Sequence, residues 1–245
     1  MTHTDKPVRP APNLAGLRVA ITGGSSGLGL SLVEALTRDG ASVALIARGI
    51  ERVRRVAEAT GATGIAGDVG DKAAIHRIAL QVMASLGGLD VLINNASSLG
   101  AVPLRPLADT DCEALEEALA VNVLGPFRLT KALLGALAAS ARDGRGGVVL
   151  NVSSDAAINA YAHWGAYGTS KAALHHMTRI WQEELADIGL RLLSIDPGDM
   201  DTPLHAQAIP DADPATLKHP DVAARELIDV IARAIPQGRR EAVTA

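Results

Sequence analysis

The sequence predicts one α/β domain built on a doubly wound parallel sheet with helices on both faces. Three observations predict it. Short apolar runs alternate along the chain with longer amphipathic segments, the order that builds a parallel sheet with crossover helices. The runs are continuous rather than alternating, as in LDVLIN (89–94) and GVVLNVS (147–153), the pattern of strands covered on both faces. The first run also leads directly into a glycine-rich turn, TGGSSGLG (22–29), ahead of a helical segment.

Taken in order, strands are expected at 17–22, 42–47, 63–67, 89–94, 147–153 and 190–196. Helices are expected at 27–39, ending before Gly40, and at 50–59, 71–86, 110–141, 165–188 and 220–234. The long fourth helix should bend at Gly125-Pro126, because proline lacks the N–H that a helix interior needs. Six strands are expected, with only a weak candidate for a seventh at 239–243. Residues 1–15, with three prolines and no apolar run, read as a flexible tail, and 16–245 as a single domain without repeats or linkers.

Composition narrows the function classes. The chain has 245 residues, 48% hydrophobic and 20% charged, which suffices for a large core without staples. A formal charge of -4 gives no global pull toward nucleic acid or an anionic membrane. No run approaches the roughly 20 apolar residues of a membrane span. Cys112 is the sole cysteine, which fits a reducing cytoplasm. Nothing around the histidines suggests metal ligands.

The glycine turn is the first functional signal. Small residues at Gly23, Gly24, Gly27 and Gly29 let backbone approach a pyrophosphate, and the following helix N-terminus offers free N–H groups. Its place at the first strand–helix crossover is the context that gives such a motif weight. Gly23, Ser25, Ser26, Gly27 and Leu28 are therefore the expected cradle of a dinucleotide. The second strand ends Ala47-Arg48-Gly49, with no acidic residue to accept from a ribose 2′-OH. Arg48 is either a solvated surface arginine or the partner of a 2′-phosphate, which would make the cofactor NADP(H) rather than NAD(H). Ser26 stands where a second basic residue would help.

Tyr167 and Lys171 are four apart at the start of a predicted helix and share a face. A free phenol has a pKa of about 10, so a base near neutrality needs a fall of roughly 2–3 units. A neighbouring ammonium and a positively charged nicotinamide are expected to supply that fall. Strand 147–153 ends at Ser153-Ser154, on the edge where open α/β sheets bind ligands, so a serine hydroxyl there could hold a substrate oxygen; the alternative is a simple turn or cap serine.

With these residues in hand, the chain resembles the compact, single-domain branch of the short-chain dehydrogenase/reductases, a Rossmann-like fold. The matching motifs are TGGSSGLG (22–29), DV (68–69), NNA (94–96), Asn122, NVSS (151–154), YGTSK (167–171) and PGDMDT (197–202), in the family's order and spacing. The resemblance implies an NADP(H)-dependent oxidoreductase interconverting a small carbonyl compound and its alcohol. It assigns Ser154 to the substrate oxygen, with Ser153 as the competitor, and Tyr167 to proton donation and acceptance. Lys171 would lower the tyrosine pKa and bind the nicotinamide ribose, and Asn122 would hold a water in a proton relay. Asp68 and Val69 would contact adenine, Asn94 would brace the sheet, Asn95 and Ala96 would line the ribose, and Pro197, Gly198 and Thr202 would cover the nicotinamide. A homodimer or homotetramer is implied. Two departures stand out: Ser97 replaces the usual glycine after NNA, a change expected to spare the chemistry, and the family's last strand is poorly matched by IPQGRREAVTA.

Around the substrate, Tyr161 and Trp164 belong to an aromatic cluster in an aromatic-poor chain. They read as a substrate wall, or, for Trp164, as a helix start or subunit contact. The proline-rich, acidic segment 199–220 reads as a mobile lid, in which His205 meets either substrate or solvent. Two further readings compete with free carbonyl chemistry: reduction of 3-oxoacyl thioesters on a carrier protein, and a non-catalytic NADP-binding sensor.

Overall fold

A computed structural model of the chain describes residues 14–235. Its sheet has six parallel strands, β1 (Arg18–Thr22), β2 (Ser42–Ala47), β3 (Thr63–Ala66), β4 (Val91–Asn94), β5 (Val148–Val152) and β6 (Arg191–Ile195). They lie in the order β3-β2-β1-β4-β5-β6, and every neighbouring pair is parallel. Each coincides with an expected run to within two residues. The candidate seventh strand at 239–243 lies outside the described residues.

The helices are α1 (Gly27–Arg38), α2 (Ile50–Thr60), α3 (Ile75–Leu86), α4 (Cys112–Leu119), α5 (Gly125–Arg142), α6 (Gly165–Leu185), α7 (Pro203–Ala208) and α8 (Pro220–Ala234). Successive strand residues point to opposite faces, so each strand feeds two cores. Val19, Ile21, Val91 and Ile93 pack with α1, α2 and α8; Ala20, Leu92 and Val149 pack with α3, α5 and α6. All four residues of β4 and all five of β5 are buried, which is why their sequences show no polar alternation. Leu14 is 3% exposed and joins the first core, so the packed chain begins by residue 14 and not at 16 as expected.

Two helices differ from expectation. The segment at 71–86 becomes helical only at Ile75, because the Asp71 carboxylate accepts from Ala73 N at 2.8 Å and closes a turn first. The long helix expected at 110–141 is three pieces: α4, a π turn at Ala120–Leu124, and α5. Pro126 is the cause the sequence offers, since it has no N–H for the Asn122 carbonyl four residues back. The widening therefore sits just ahead of the expected bend, and it carries Asn122.

At the N-terminal edge of the sheet, Asp90 has no exposed side-chain surface. Its carboxylate accepts from Arg18 Nη2 at 2.7 Å, Arg18 N at 2.9 Å and Ser140 Oγ at 2.6 Å, with Arg145 Nε at 3.5 Å. Burial works to raise its pKa, but the bonds from Arg18 and Ser140 outweigh burial and hold it below the usual carboxylate range. The opposite edge holds the functional site. The order of connection reverses between β1 and β4, and the loops leaving their C-terminal ends part to open a crevice there. No helix among the described residues is long and apolar enough to cross a membrane.

Candidate active site

The crevice is a cavity of about 1190 Å³ that runs across the C-terminal ends of the strands. Its floor is the glycine loop after β1. Gly23 adopts a φ of +69°, and a Cβ on Gly29 would sit 2.2 Å from the Gly23 carbonyl oxygen, so any side chain there would break the turn. Asn95 stitches this turn to the loop after β4: its Nδ2 donates to Thr22 O at 3.0 Å and Gly23 O at 3.3 Å, and its backbone N donates to Thr22 Oγ1 at 3.0 Å. Gly23, Ser25, Ser26, Gly27 and Leu28 all line the cavity, and no side chain caps the start of α1. The turn is thus shaped to bring backbone N–H groups to an anionic ligand.

The expected adenosine-side residues gather at one end. Arg48, Asp68, Val69 and Ala96 line the cavity there. Asp68 accepts from Gly70 N at 2.8 Å, which fixes the loop after β3. Two residues that the sequence reading did not single out join them: Arg52 and Arg55, on the first turns of α2, line the same end. The signal was present, since Arg52 follows Arg48 by four residues. Arg54 is bonded to Glu51 at 2.8 Å, whereas Arg48, Arg52 and Arg55 have no ion pair among the described residues. Two further basic side chains therefore reach this end of the cavity from α2.

The acid–base candidates meet in the middle. Tyr167 is 8% exposed and Lys171 2%, on the first two turns of α6. The hydroxyls of Ser154 and Ser97 lie near enough to the phenol to lower its pKa, while donating to Asp155 Oδ1 and Asn122 Oδ1, each at 3.2 Å. Ser154 also caps the turn at Asp155–Ala157, accepting from Ala156 N at 3.2 Å, which is the cap reading of that serine. Ser153 is buried beside it, with its N–H bonded to Ile195 O, and does not partner the phenol. Lys171 Nζ donates to Val152 O at 2.8 Å and lies 5.4 Å from the Tyr167 ring centre.

The protein's own groups do not supply the expected fall in the tyrosine pKa, which also counted on the positive charge of the nicotinamide. Burial pushes the phenol up to about 12, Ser154 and Ser97 pull it down, and the carboxylates of Asp196 and Asp155 push it up. Burial likewise lowers the Lys171 ammonium to about 8, against an opposing effect of Asp196.

Asn122 is 1% exposed and fully engaged. Its Oδ1 accepts from Ser98 N at 2.8 Å and Ser97 Oγ at 3.2 Å, and its Nδ2 donates to Ser98 O and Ser170 Oγ, each at 2.8 Å. The side chain thus locks the π turn to the loop after β4 and to α6. Ser97, expected to spare the chemistry, stands between Asn122 and the phenol. Asn94 donates to Asn151 Oδ1 at 2.8 Å across β4 and β5, a brace within the sheet.

Beyond Tyr167 lies the remaining end of the cavity. Trp164 starts α6 and also meets the Tyr167 ring edge-on at 5.6 Å, within an apolar group that includes Leu99, Leu204 and Ala208. Tyr161 is half exposed and donates to Asp155 Oδ2 at 2.6 Å. The segment 199–220 overhangs this end through Thr202, Leu204, His205 and Ile209, but both its ends are tied. Asp201 N donates to Lys218 O and Lys218 N to Asp199 O, each at 3.0 Å. His205 Nε2 lies 4.0 Å from Asp199, and its Nδ1 is buried without a partner. Pro197 is buried, its carbonyl accepting from Lys218 Nζ at 3.0 Å, and Thr202 caps α7 by accepting from His205 N. Pro197, Gly198 and Thr202 all line the cavity beside Lys171. Among the described residues no group of three or more His, Cys, Asp or Glu is placed to hold a metal ion.

Fold and cavity together are those of a doubly wound α/β oxidoreductase. The model of the short chain dehydrogenase family matches residues 18–213. An uncharacterized oxidoreductase of Thermotoga maritima is 35% identical over 76% of this chain and 72% of its own length. A sorbitol dehydrogenase of Cereibacter sphaeroides is 33% identical over 77% and 72%. Among solved structures, a short chain dehydrogenase from Salmonella enterica superposes with a TM-score of 0.83 at 28% identity, covering 94% of each chain. One from Escherichia coli, complexed with NADPH, gives 0.78 at 26% identity over 93% and 94%. A 3-ketoacyl-(acyl-carrier-protein) reductase from Brucella melitensis, complexed with NADH, gives 0.83 at 26% over 89% and 91%. The chain belongs to the short chain dehydrogenase family and is an oxidoreductase of that family.

Proposed function

We propose that this enzyme is an NADP(H)-dependent reductase of small carbonyl compounds, able to run in reverse on the alcohols, with Tyr167 as its proton donor. The observation that carries the reading is the buried Tyr167 phenol, with Ser154 and Lys171 beside it, in the same cavity as the glycine turn. The residues present fit the cofactor, because the turn leaves no room for a Cβ at Gly29 and opens onto the N-terminus of α1. Gly23, Ser25, Ser26, Gly27 and Leu28 would hold the pyrophosphate, and Asp68 and Val69 the adenine. Asn95 and Ala96 would line the adenosine-side ribose, Lys171 the nicotinamide ribose, and Pro197, Gly198 and Thr202 the nicotinamide. Arg48, with Arg52 and Arg55, would hold a 2′-phosphate, and the Escherichia coli neighbour solved with NADPH supports the same choice. When bound, the cofactor supplies a hydride to the carbonyl carbon.

The chain's own residues do the rest. Ser154 Oγ donates to the carbonyl oxygen and turns it toward Tyr167. A phenol with its pKa near 12 is fully protonated at neutral pH, the form that reduction requires. Transfer of its proton to the oxygen leaves a phenolate, which Lys171 stabilises by its charge and to which Ser97 can turn its one hydroxyl proton away from Asn122 Oδ1. The proton is replaced through a water relay from Lys171. All four bonds of the Asn122 side chain are committed, so the group it offers that relay is its backbone carbonyl, to which Pro126 brings no N–H.

A second reading, reduction of 3-oxoacyl thioesters, is favoured by the named activity of the Brucella melitensis neighbour and by a human 3-hydroxyacyl-CoA dehydrogenase type-2, 31% identical over 78% of this chain. We propose a cytoplasmic homodimer or homotetramer under either reading. NADPH oxidation against a panel of free ketones and thioester-linked ones, with Tyr167→Phe as control, tests them. The variant should lose roughly 10²- to 10⁴-fold in kcat while still binding NADPH. Undiminished turnover by Tyr167→Phe refutes the mechanism.

A further inference from the structure

Charge is divided along the cavity. Its adenosine end carries Arg48, Arg52 and Arg55, with Asp68 and Glu51 the acidic residues there. The end beyond Tyr167 carries Asp155, Asp196 and Asp199, and its one lysine or arginine is the buried Lys171. These carboxylates come from three separate elements: the turn after β5, the end of β6 and the approach to α7. Asp155 holds the Tyr161 hydroxyl at 2.6 Å, and Asp199 faces the same phenol and lies 4.0 Å from His205. Asp196 is fixed by Gly198 N at 2.9 Å and faces Tyr167 together with Asp155. The neighbouring cation does not offset them, because Lys218 Nζ is turned to the Pro197 carbonyl and to Glu226 at 2.7 Å. Between the carboxylates the wall is apolar: Leu99, Val102, Trp164, Leu204 and Ile209.

We propose that this site selects apolar ketones or aldehydes that are uncharged or carry an ammonium group, and rejects carbonyl compounds bearing carboxylate or phosphate, including thioesters of phosphorylated carriers. The inference rests on the carbonyl-reductase reading and narrows it. Each carboxylate at about 8 Å through a water-like dielectric changes binding of a unit charge roughly twofold. Three acting together give roughly a tenfold preference for an ammonium over a neutral substrate and a tenfold penalty on an anion. Such exposed charges are screened by salt, so the preference should shrink as ionic strength rises.

Three acetophenones test this, para-substituted with ethyl, carboxymethyl or trimethylammoniomethyl, with the neopentyl ketone as the uncharged match in size for the last. Two readouts are taken with NADPH: kcat/KM in the native enzyme, and ketone affinity in Tyr167→Phe from quenching of bound NADPH fluorescence. The expected order in both is ammonium, ethyl, carboxylate, each step about tenfold at low salt and contracting in 0.5 M NaCl. Asp199→Asn should narrow the ammonium-to-carboxylate ratio about fivefold. Equal or better use of the carboxylate overturns the proposal. No turnover of any ketone, with the affinity order intact, overturns the reductase reading and supports the charge selection.

Discussion

Ser97 offers the sharpest test of the catalytic geometry, since the family ordinarily has glycine there and the sequence alone gave its hydroxyl no task. In the structure that hydroxyl stands between Asn122 Oδ1, at 3.2 Å, and the Tyr167 phenol. Replacing it with alanine removes the hydroxyl proton that can turn from Asn122 Oδ1 to the phenolate formed during reduction. It leaves Asn122 Oδ1 its bond from Ser98 N at 2.8 Å, so the π turn keeps its anchor. A hydrogen bond to a charged group contributes about 1.5–3 kcal/mol, and one pKa unit corresponds to about 1.4 kcal/mol. Ser97→Ala should therefore raise the apparent pKa of the tyrosine by about one unit or somewhat more and lower kcat for reduction roughly tenfold. Alcohol oxidation, which needs the phenolate, should show its ionisation limb displaced upward by the same amount. The assay is kcat against pH in both directions, with NADPH affinity as the control for an intact cofactor site. An unchanged oxidation limb with kcat within twofold would refute the assignment, and so would a loss confined to NADPH affinity.

The arginine cluster predicts cofactor choice: Arg48→Asp should weaken NADPH at least a hundredfold while NADH changes little, because each charge-assisted bond to a 2′-phosphate contributes about 1.5–3 kcal/mol. Arg52→Ala should produce a smaller loss of the same kind, and equal effects on both cofactors, read by fluorescence titration, would remove α2 from the site. At the far edge of the sheet, Asp90→Asn should cost about 3 kcal/mol by denaturant unfolding at neutral pH, since it strips the buried partner from Arg18 and Arg145. The folded pKa of Asp90 lies below the unfolded value of about 3.9. Its stabilisation is therefore present above that value and lost as pH falls through the folded pKa, so the two proteins should converge in stability in strong acid and remain apart above about pH 5.

What the sequence revealed, and what it withheld, follows from how local each cause is. Continuous apolar runs such as Val91–Asn94 announced buried parallel strands because burial on both faces leaves no room for polar alternation. The glycine turn was equally plain, because its shape is dictated by residues within eight positions. Asn122 was not: read without a family it is a polar residue near a helix bend. Its meaning depends on a π turn that aims its amide at Ser98 and Ser170, one 24 residues back and the other 48 ahead. The sign of the Tyr167 shift was illegible for the same reason. Sequence spacing showed the lysine four residues away, but not that burial leaves the phenol 8% exposed, nor that the ammonium is engaged by Val152 O. That shift sets a demand on the cofactor: the buried phenol holds its proton, and the fall that alcohol oxidation needs must come from the positive charge of the oxidised cofactor acting on the same phenol.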